Sequence, residues 1–165
     1  MTRVMLNELR QEAATTKLLL ARVPADKLSW RPHPKSMSLG QLALHVARIP
    51  GDLSRLARLD EFDAAAANFD PPTPTSREEI LAALEESVSS AAEYLETLTP
   101  DDASAGWRLT HRGNEVFTIP RAGLLRSLLL NHWYHHRGQL SVYLRLLDVP
   151  IPVIYGRSAD ENPFA

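Results

Sequence analysis

The stretch LLLNHWYHHRGQL, at residues 128–140, carries the pattern that decides how this chain is interpreted. His132 and His136 are four residues apart, so on a helix they lie one above the other on the same face. The other residues that share this face at helical spacing are Leu125, Leu129, Gln139, Tyr143 and Leu146. Such a stripe turns towards a core. Two imidazoles within it need a polar partner, and a divalent metal ion suits neutral imidazoles best.

Four segments repeat apolar residues with a period near 3.5, which predicts four helices. Pro50 falls inside the second of these patterns and predicts a kink or a break there. The fourth segment is apolar on more than one face, so it is either central or also covered by a partner subunit. The end signals are Pro24 after the first helix, Ser38 as N-cap of the second, the capping box Ser76–Glu79 of the third, and Pro120 and Leu147 around the fourth.

Two long connections separate the later helices. Residues 64–75 are rich in alanine and proline and predict a surface crossover. Between the third and fourth helices, residues 107–110 and 116–119 flank a turn-like segment and favour a small β-hairpin. We therefore expect an all-α protein, a four-helix bundle with long crossover connections, in a single domain spanning residues 1–165.

The composition excludes several classes of protein. The chain has 165 residues, 44% hydrophobic and 23% charged, with a net charge of -2 and no cysteine. A near-neutral charge predicts no nucleic-acid partner and no attraction to an anionic membrane. The lack of cysteine removes disulfides, thiolate ligands and a cysteine nucleophile. The N-terminal residues resemble no signal peptide, and the apolar stretch at residues 124–130 is too short to span a bilayer, so we expect a cytoplasmic protein.

A metal held by His132 and His136 needs at least one further ligand, and His45 is the best candidate. His45 lies at the edge of the apolar stripe of the second helix, where helix packing can bring it opposite the pair. Three imidazoles around zinc leave a fourth position open, which is typical of catalytic sites. The alternative is that these histidines are core or interface residues whose nitrogens are satisfied by protein groups.

The remaining histidines have other expected roles. His135 points about a quarter-turn away from His136 and could line the mouth of the site, carry a proton or lie on the surface. His33 and His111 lie in predicted loops and are expected to be exposed.

No glutamate stands between the two histidines of the last helix, so a metallopeptidase of the zincin type is disfavoured. No acidic residue near the three histidines is an obvious general base. Such a site suits chemistry in which the metal itself activates a bound water or thiol.

Three groups of residues together resemble the DinB/YfiT-like family of small metalloenzymes. The resemblance covers nearly the whole chain in the right order. It is carried by WRP at residues 30–32, SLGQL at 38–42 and His45; by Asn131, His132 and HHRGQL at 135–140; and by Pro152, Tyr155, Gly156, Asp160 and Glu161.

The resemblance implies that His45, His132 and His136 are the metal ligands, the same set that the spacing indicates. It also implies a four-helix bundle, often dimeric, that binds zinc or nickel. Some proteins of the family that this chain resembles are thiol-dependent transferases or isomerases, which use bacillithiol, mycothiol or glutathione.

The leading hypothesis is a metal-dependent S-transferase that passes a low-molecular-weight thiol, as a metal-bound thiolate, to a small electrophilic substrate. Arg48 and Arg137 could pair with carboxylates of the thiol, or could form ordinary ion pairs. Gln139 is a candidate for orienting an imidazole.

Two other hypotheses stay open. One is a metal-dependent hydrolase in which bound hydroxide attacks a small amide or ester and His135 carries the proton. The other is a non-enzymatic, metal-binding stress or interaction protein. In that protein the outer face of the last helix would serve a homodimer, the oligomer we expect.

Overall fold

The computed structural model describes residues 2–68 and 70–164, which are mostly helical. The first three long helices are α1 (Thr2–Leu20), α2 (Leu39–Ala57) and α3 (Arg77–Thr97). Ser38 caps α2 in a complete capping box with Gln41, and the Ser76 hydroxyl accepts the Glu79 N–H at 3.1 Å at the start of α3. Both predicted N-caps are confirmed.

The last helical segment has three consecutive parts. After the short helix α4 (Pro100–Ser104), the chain forms α5 (Arg121–Leu124), a π-helical stretch (Leu125–Asn131) and α6 (His132–Leu146). The wider π turns take up an additional residue, so the buried face beyond them advances by one position. The buried residues of α6 are therefore Trp133, Arg137, Leu140 and Leu144. The predicted stripe was displaced by one residue, and His132 and His136 lie at the edge of the buried face.

A small sheet accompanies the helices, so the expectation of an all-α fold is corrected. Strands β2 (Gly106–His111) and β3 (Asn114–Pro120) form the predicted antiparallel hairpin, whose turn residues Arg112 and Gly113 have φ of 52° and 77°. The strand β1 (Glu61–Asp63) adds in parallel to β2, in the order β1-β2-β3. Three residues are too few to give a strand periodicity, which is why the sequence did not predict β1.

Helix α2 continues unbroken through Pro50, contrary to a predicted break. Helix α2 packs against three other helices, α3, α1 and α6, and it is apolar on several sides. The mostly helical character is confirmed, whereas the four-helix bundle with crossovers stays a prediction.

In the part of the chain that the structure describes, no helix combines the length and the apolar composition needed to cross a membrane.

Candidate metal centre

Three histidines from two helices meet at one point of the molecule. His45 comes from the middle of α2, and His132 and His136 come from the first two turns of α6. One ring nitrogen from each lies within 4.8 Å of the others, and all three side chains are half-buried. We call these residues the histidine cluster.

The distances within the histidine cluster fit a shared metal ion. The Nε2 atoms of His45 and His132 are 3.3 Å apart. Two ligands of a tetrahedral ion with metal–nitrogen bonds of about 2.0–2.1 Å are themselves about 3.3 Å apart. The planes of the three rings cross at 83°, 78° and 73°, so the rings approach one another edge to face. This donor set therefore suits a divalent transition metal without large rearrangement.

The environment of the histidines favours their neutral form. Burial, followed by the nearby His136 and His132, lowers the pKa of His45 to about 4. Burial also lowers the pKa of His132 and of His136. A neutral imidazole is the form with a lone pair available to a metal ion.

Gln139 lies where it can orient one imidazole. Its Oε1 atom is 2.7 Å from His136 Nδ1. When the Nδ1–H of His136 donates to this oxygen, the lone pair of the ring is on Nε2. Gln139 is thus in the position that the sequence predicted for an orienting residue.

Trp133 joins the two helices that carry the histidines, and sequence reasoning missed this role. Pro50 has no N–H to donate to the carbonyl of Val46, four residues earlier. The indole Nε1 of Trp133 donates to that carbonyl instead, at 2.8 Å. Val46 follows His45 and Trp133 follows His132, so the bond fixes α6 against α2 beside the ligands. The signal available in the sequence was Pro50 inside the apolar pattern of the second helix, because a proline leaves the carbonyl four residues earlier without its helical donor.

A cavity of about 520 Å³ opens over the histidine cluster. Its walls are mainly apolar, and Arg48, one turn after His45, contributes a positive charge at its side. The other lining residues are Met37, Leu44, Asp52, Leu53, Asn68, Asp70, Pro71, Pro72 and Leu128. A small molecule in this cavity would lie against the histidines and Arg48 together.

His135 is exposed and outside this lining, although its ring centroid is only 4.9 Å from that of His136. His33 lies in a loop and His111 is the last residue of β2; both are exposed, as predicted, and take no part in the histidine cluster.

Arg137 lies outside the cavity lining and forms an ion pair, the alternative to its expected contact with a carboxylate of the thiol. Its side chain is only 2% exposed and forms an ion pair with Glu12 of α1 at 2.6 Å. It also donates to the Thr16 hydroxyl at 3.2 Å and contacts the Tyr155 hydroxyl. The advance of the buried face after the π-helical stretch turns Arg137 into the interior.

The fold and the site define a class of protein, a mostly helical chain in which two helices bring three histidines together beneath a cavity. The family model described as the DinB family matches residues 1–162, and the chain belongs to this family.

Individual proteins are similar to this chain over most of its length. The chain is 28% identical over 150 residues to the uncharacterized protein YrdA of Bacillus subtilis (strain 168), covering 91% of this chain and 85% of the relative. Its fold is similar to that of a DinB-like protein from Bacillus cereus ATCC 10987, with a TM-score of 0.70, 24% identity, and coverage of 91% and 95% of the two chains. A DinB-like protein (YjoA) from Bacillus subtilis gives a TM-score of 0.70 at 21% identity, with coverage of 92% and 98%.

Proposed function

We propose that this protein is a metal-dependent S-transferase, built on a four-helix bundle, that passes a small external thiol to an electrophile. The observation that carries the proposal is the convergence of three imidazoles in the lining of one cavity. His45, His132 and His136 would hold the ion, with zinc or nickel the best candidates among metals that imidazole suits. When bound, such an ion lowers the pKa of a thiol that coordinates at its open position.

The residues around the histidines support substrate binding. Arg48 would pair with a carboxylate of the thiol or of the substrate, because its guanidinium lines the same cavity. Gln139 would hold His136 in the tautomer with a free Nε2. The apolar walls would exclude water from the reacting groups. The chain contains no cysteine, so the thiol must come from outside the protein.

A hydrolase acting on small amides or esters is a second candidate function. The observation that favours it is the position of His135, exposed and adjacent to His136. At that position an imidazole could exchange protons between the site and solvent.

We also propose a homodimer that covers the outer face of α6. Val142 and Leu146 are four residues apart on this face and are 57% and 59% exposed, so a second copy of the chain would cover both. In the non-enzymatic hypothesis this surface, rather than the cavity, would be the functional one.

The test begins with elemental analysis of the untagged protein beside the His45→Ala variant. We expect about one transition-metal ion per chain in the wild type and a loss of that metal in the variant. Cobalt-substituted protein is then titrated with small thiols, and a change in the visible spectrum is expected on thiol binding. Ester hydrolysis without any thiol would instead favour the hydrolase, and metal-free protein after incubation with zinc and nickel would contradict both enzymes.

A further inference from the structure

The cavity over the histidine cluster does not end at Arg48. A groove of about 340 Å³ between α2 and α3 lies next to it. The cavity and the groove share four lining residues: Leu44, Arg48, Asp52 and Pro72. A ligand longer than the cavity would therefore extend past Arg48 into this groove. The size of both spaces is typical of small-molecule sites.

The groove has a rigid floor. A Cβ atom on Gly51 would lie 2.9 Å from Ser87 Cα, so α2 and α3 are in close contact there. The buried Ser87 hydroxyl accepts the Gly51 N–H at 2.7 Å and donates to the Arg48 carbonyl at 3.1 Å. The groove is therefore preformed, and the backbone that carries Arg48 is held in place.

Most charges along the groove already have partners. Asp52 pairs with Arg55 on the same helix, and the Glu79 carboxylate accepts the N–H and the hydroxyl of Thr75. Among residues 2–68 and 70–164, neither Arg48 nor Glu86 forms an ion pair within the chain. Arg48 stands on the α2 wall and Glu86 on the α3 wall, so one positive and one negative charge remain for a ligand.

Glu79 also lies on the α3 wall of the groove, close enough to Arg48 for the two charges to interact. Hydrogen bonds from Thr75 lower the pKa of the Glu79 carboxyl, and the positive charge of Arg48 lowers it further. A purely anionic ligand would bind Arg48 but face the carboxylates of α3. A purely cationic ligand would face Arg48. A group that carries both charges meets an opposite charge on each wall.

We propose that the groove between α2 and α3 is a second subsite, which binds the amino-acid end of a substrate. The α-carboxylate pairs with Arg48 and the α-ammonium group with Glu86, while the apolar remainder extends through the cavity towards the histidines. The placement of the reacting end rests on the proposed function, whereas recognition of the amino-acid end does not need the metal.

Isothermal titration calorimetry with three related ligands tests the subsite. Norleucine carries both charged groups on an apolar chain, hexanoate lacks the ammonium group, and pentylamine lacks the carboxylate. We expect norleucine to bind about two- to fivefold more tightly than either, because each ion pair is formed with an exposed side chain. Arg48→Gln should reduce norleucine binding to the level of pentylamine, and Glu86→Gln to the level of hexanoate.

Glu85→Gln is the matched control, because Glu85 is adjacent on α3 but pairs with Lys17 outside the groove. Equal affinities for the three ligands, no detectable binding of norleucine, or an equal loss in Glu85→Gln would each overturn the proposal. The titrations are run with and without added zinc. If the protein binds no metal, the proposed function is contradicted, but titrations of the metal-free protein still test the subsite.

Discussion

His136 and Arg137 are consecutive residues of α6, yet they belong to two regions built in opposite ways. His136 faces the cavity with His45 and His132. Arg137 faces α1, where it forms what we call the arginine cluster with Glu12, Thr16 and Tyr155. Both regions place polar side chains of α6 against other parts of the protein. They differ in where those side chains find their partners.

The arginine cluster satisfies its members internally. The Tyr155 hydroxyl contacts Arg137 and also donates to Glu12 at 3.0 Å, and the guanidinium lies over the rings of Tyr134 and Tyr155 at 5.2 and 5.0 Å. In the histidine cluster, by contrast, the converging nitrogens face chiefly one another. Buried polar groups with a full set of partners hold a fold together, whereas converging lone pairs invite a ligand.

Removal of one histidine should have the largest effect on metal binding. We expect His132→Ala and His136→Ala each to lose stoichiometric zinc after dialysis, because two imidazoles do not complete a site of this kind. Elemental analysis measures the loss. His33→Ala and His111→Ala, at exposed positions, are the controls and should keep about one ion per chain. Full metal content in either of the first two variants would remove the distinction between the two clusters.

Removal of Arg137 should affect stability instead. Arg137→Met leaves the buried carboxylate of Glu12 without its cation, which costs about 3–5 kcal/mol of unfolding free energy. Urea denaturation measures the cost. The double variant Glu12→Gln with Arg137→Met should recover part of it, since no unpaired charge remains. Near wild-type stability in the single variant would show that the arginine cluster is not the structural region we describe.

The bond between Trp133 and Val46 connects the two regions, and its effect should be smaller. Trp133→Phe removes the donor and leaves a buried carbonyl unpaired, at a cost of about 1–3 kcal/mol. Zinc affinity should also fall, because α6 is less firmly held against α2 beside the ligands. Competition with a chromophoric chelator measures this.

The proline itself supplies the control for that variant. Pro50→Ala restores an N–H that can donate to Val46 within α2. The double variant Pro50→Ala with Trp133→Phe should therefore lose less stability than the two single variants together. Strict additivity would mean that the bond does not account for the cost.

Replacement of Gln139 should lower the affinity for metal without changing the stability of the fold. Gln139→Ala removes the acceptor of the His136 Nδ1–H, and the loss of such a partner weakens metal binding about 10- to 100-fold. Gln139 is exposed, so the denaturation midpoint of the metal-free protein should not change. Gln139→Glu keeps an oxygen acceptor and should bind zinc nearly as well as the wild type. Equal affinity in Gln139→Ala would contradict the orienting role.

Sequence reasoning reached the elements that depend on local signals. The N-cap residues Ser38 and Ser76 and the apolar period predicted the long helices. The i, i+4 spacing of His132 and His136 predicted that both lie on one face of a helix. The same reasoning placed Arg137 at the site, because it assumed an α-helical period throughout. The π-helical stretch Leu125–Asn131 changes that period through packing, which no local signal in the sequence announces.

Other features depend on contacts between distant parts of the chain. The strand β1 exists because β2 pairs with it, and Asp63 stabilises the hairpin by accepting the N–H groups of Arg112 and Gly113. The bond from Trp133 to Val46 likewise joins residues that are far apart in sequence. Such pairings decide the exact position of the site, whereas the residue types alone decide its chemistry.

Replacement of Glu8, which lies one turn before Glu12 on α1, should give the smallest effect. Glu8 is half-buried there and accepts hydrogen bonds from Arg126 and from the Tyr134 hydroxyl, each at 2.8 Å. Partial burial pushes the pKa of the Glu8 carboxyl upward, but these bonds outweigh it and hold the pKa below the ordinary value of 4.5. A lowered pKa means that the folded state prefers the ionised form.

The stabilising contribution of Glu8 is therefore present above about pH 4.5 and is lost as the pH falls through the lower pKa of the folded state. We expect Glu8→Gln to be less stable than the wild type by under about 1 kcal/mol near pH 7, in line with partly exposed ion pairs. The difference should shrink in acid, because the wild-type carboxyl is then also neutral. Urea denaturation at a series of pH values measures it, with Glu115→Gln, at an exposed position of β3, as the control. A difference that grows in acid would mean that contacts other than the charge of Glu8 account for its contribution.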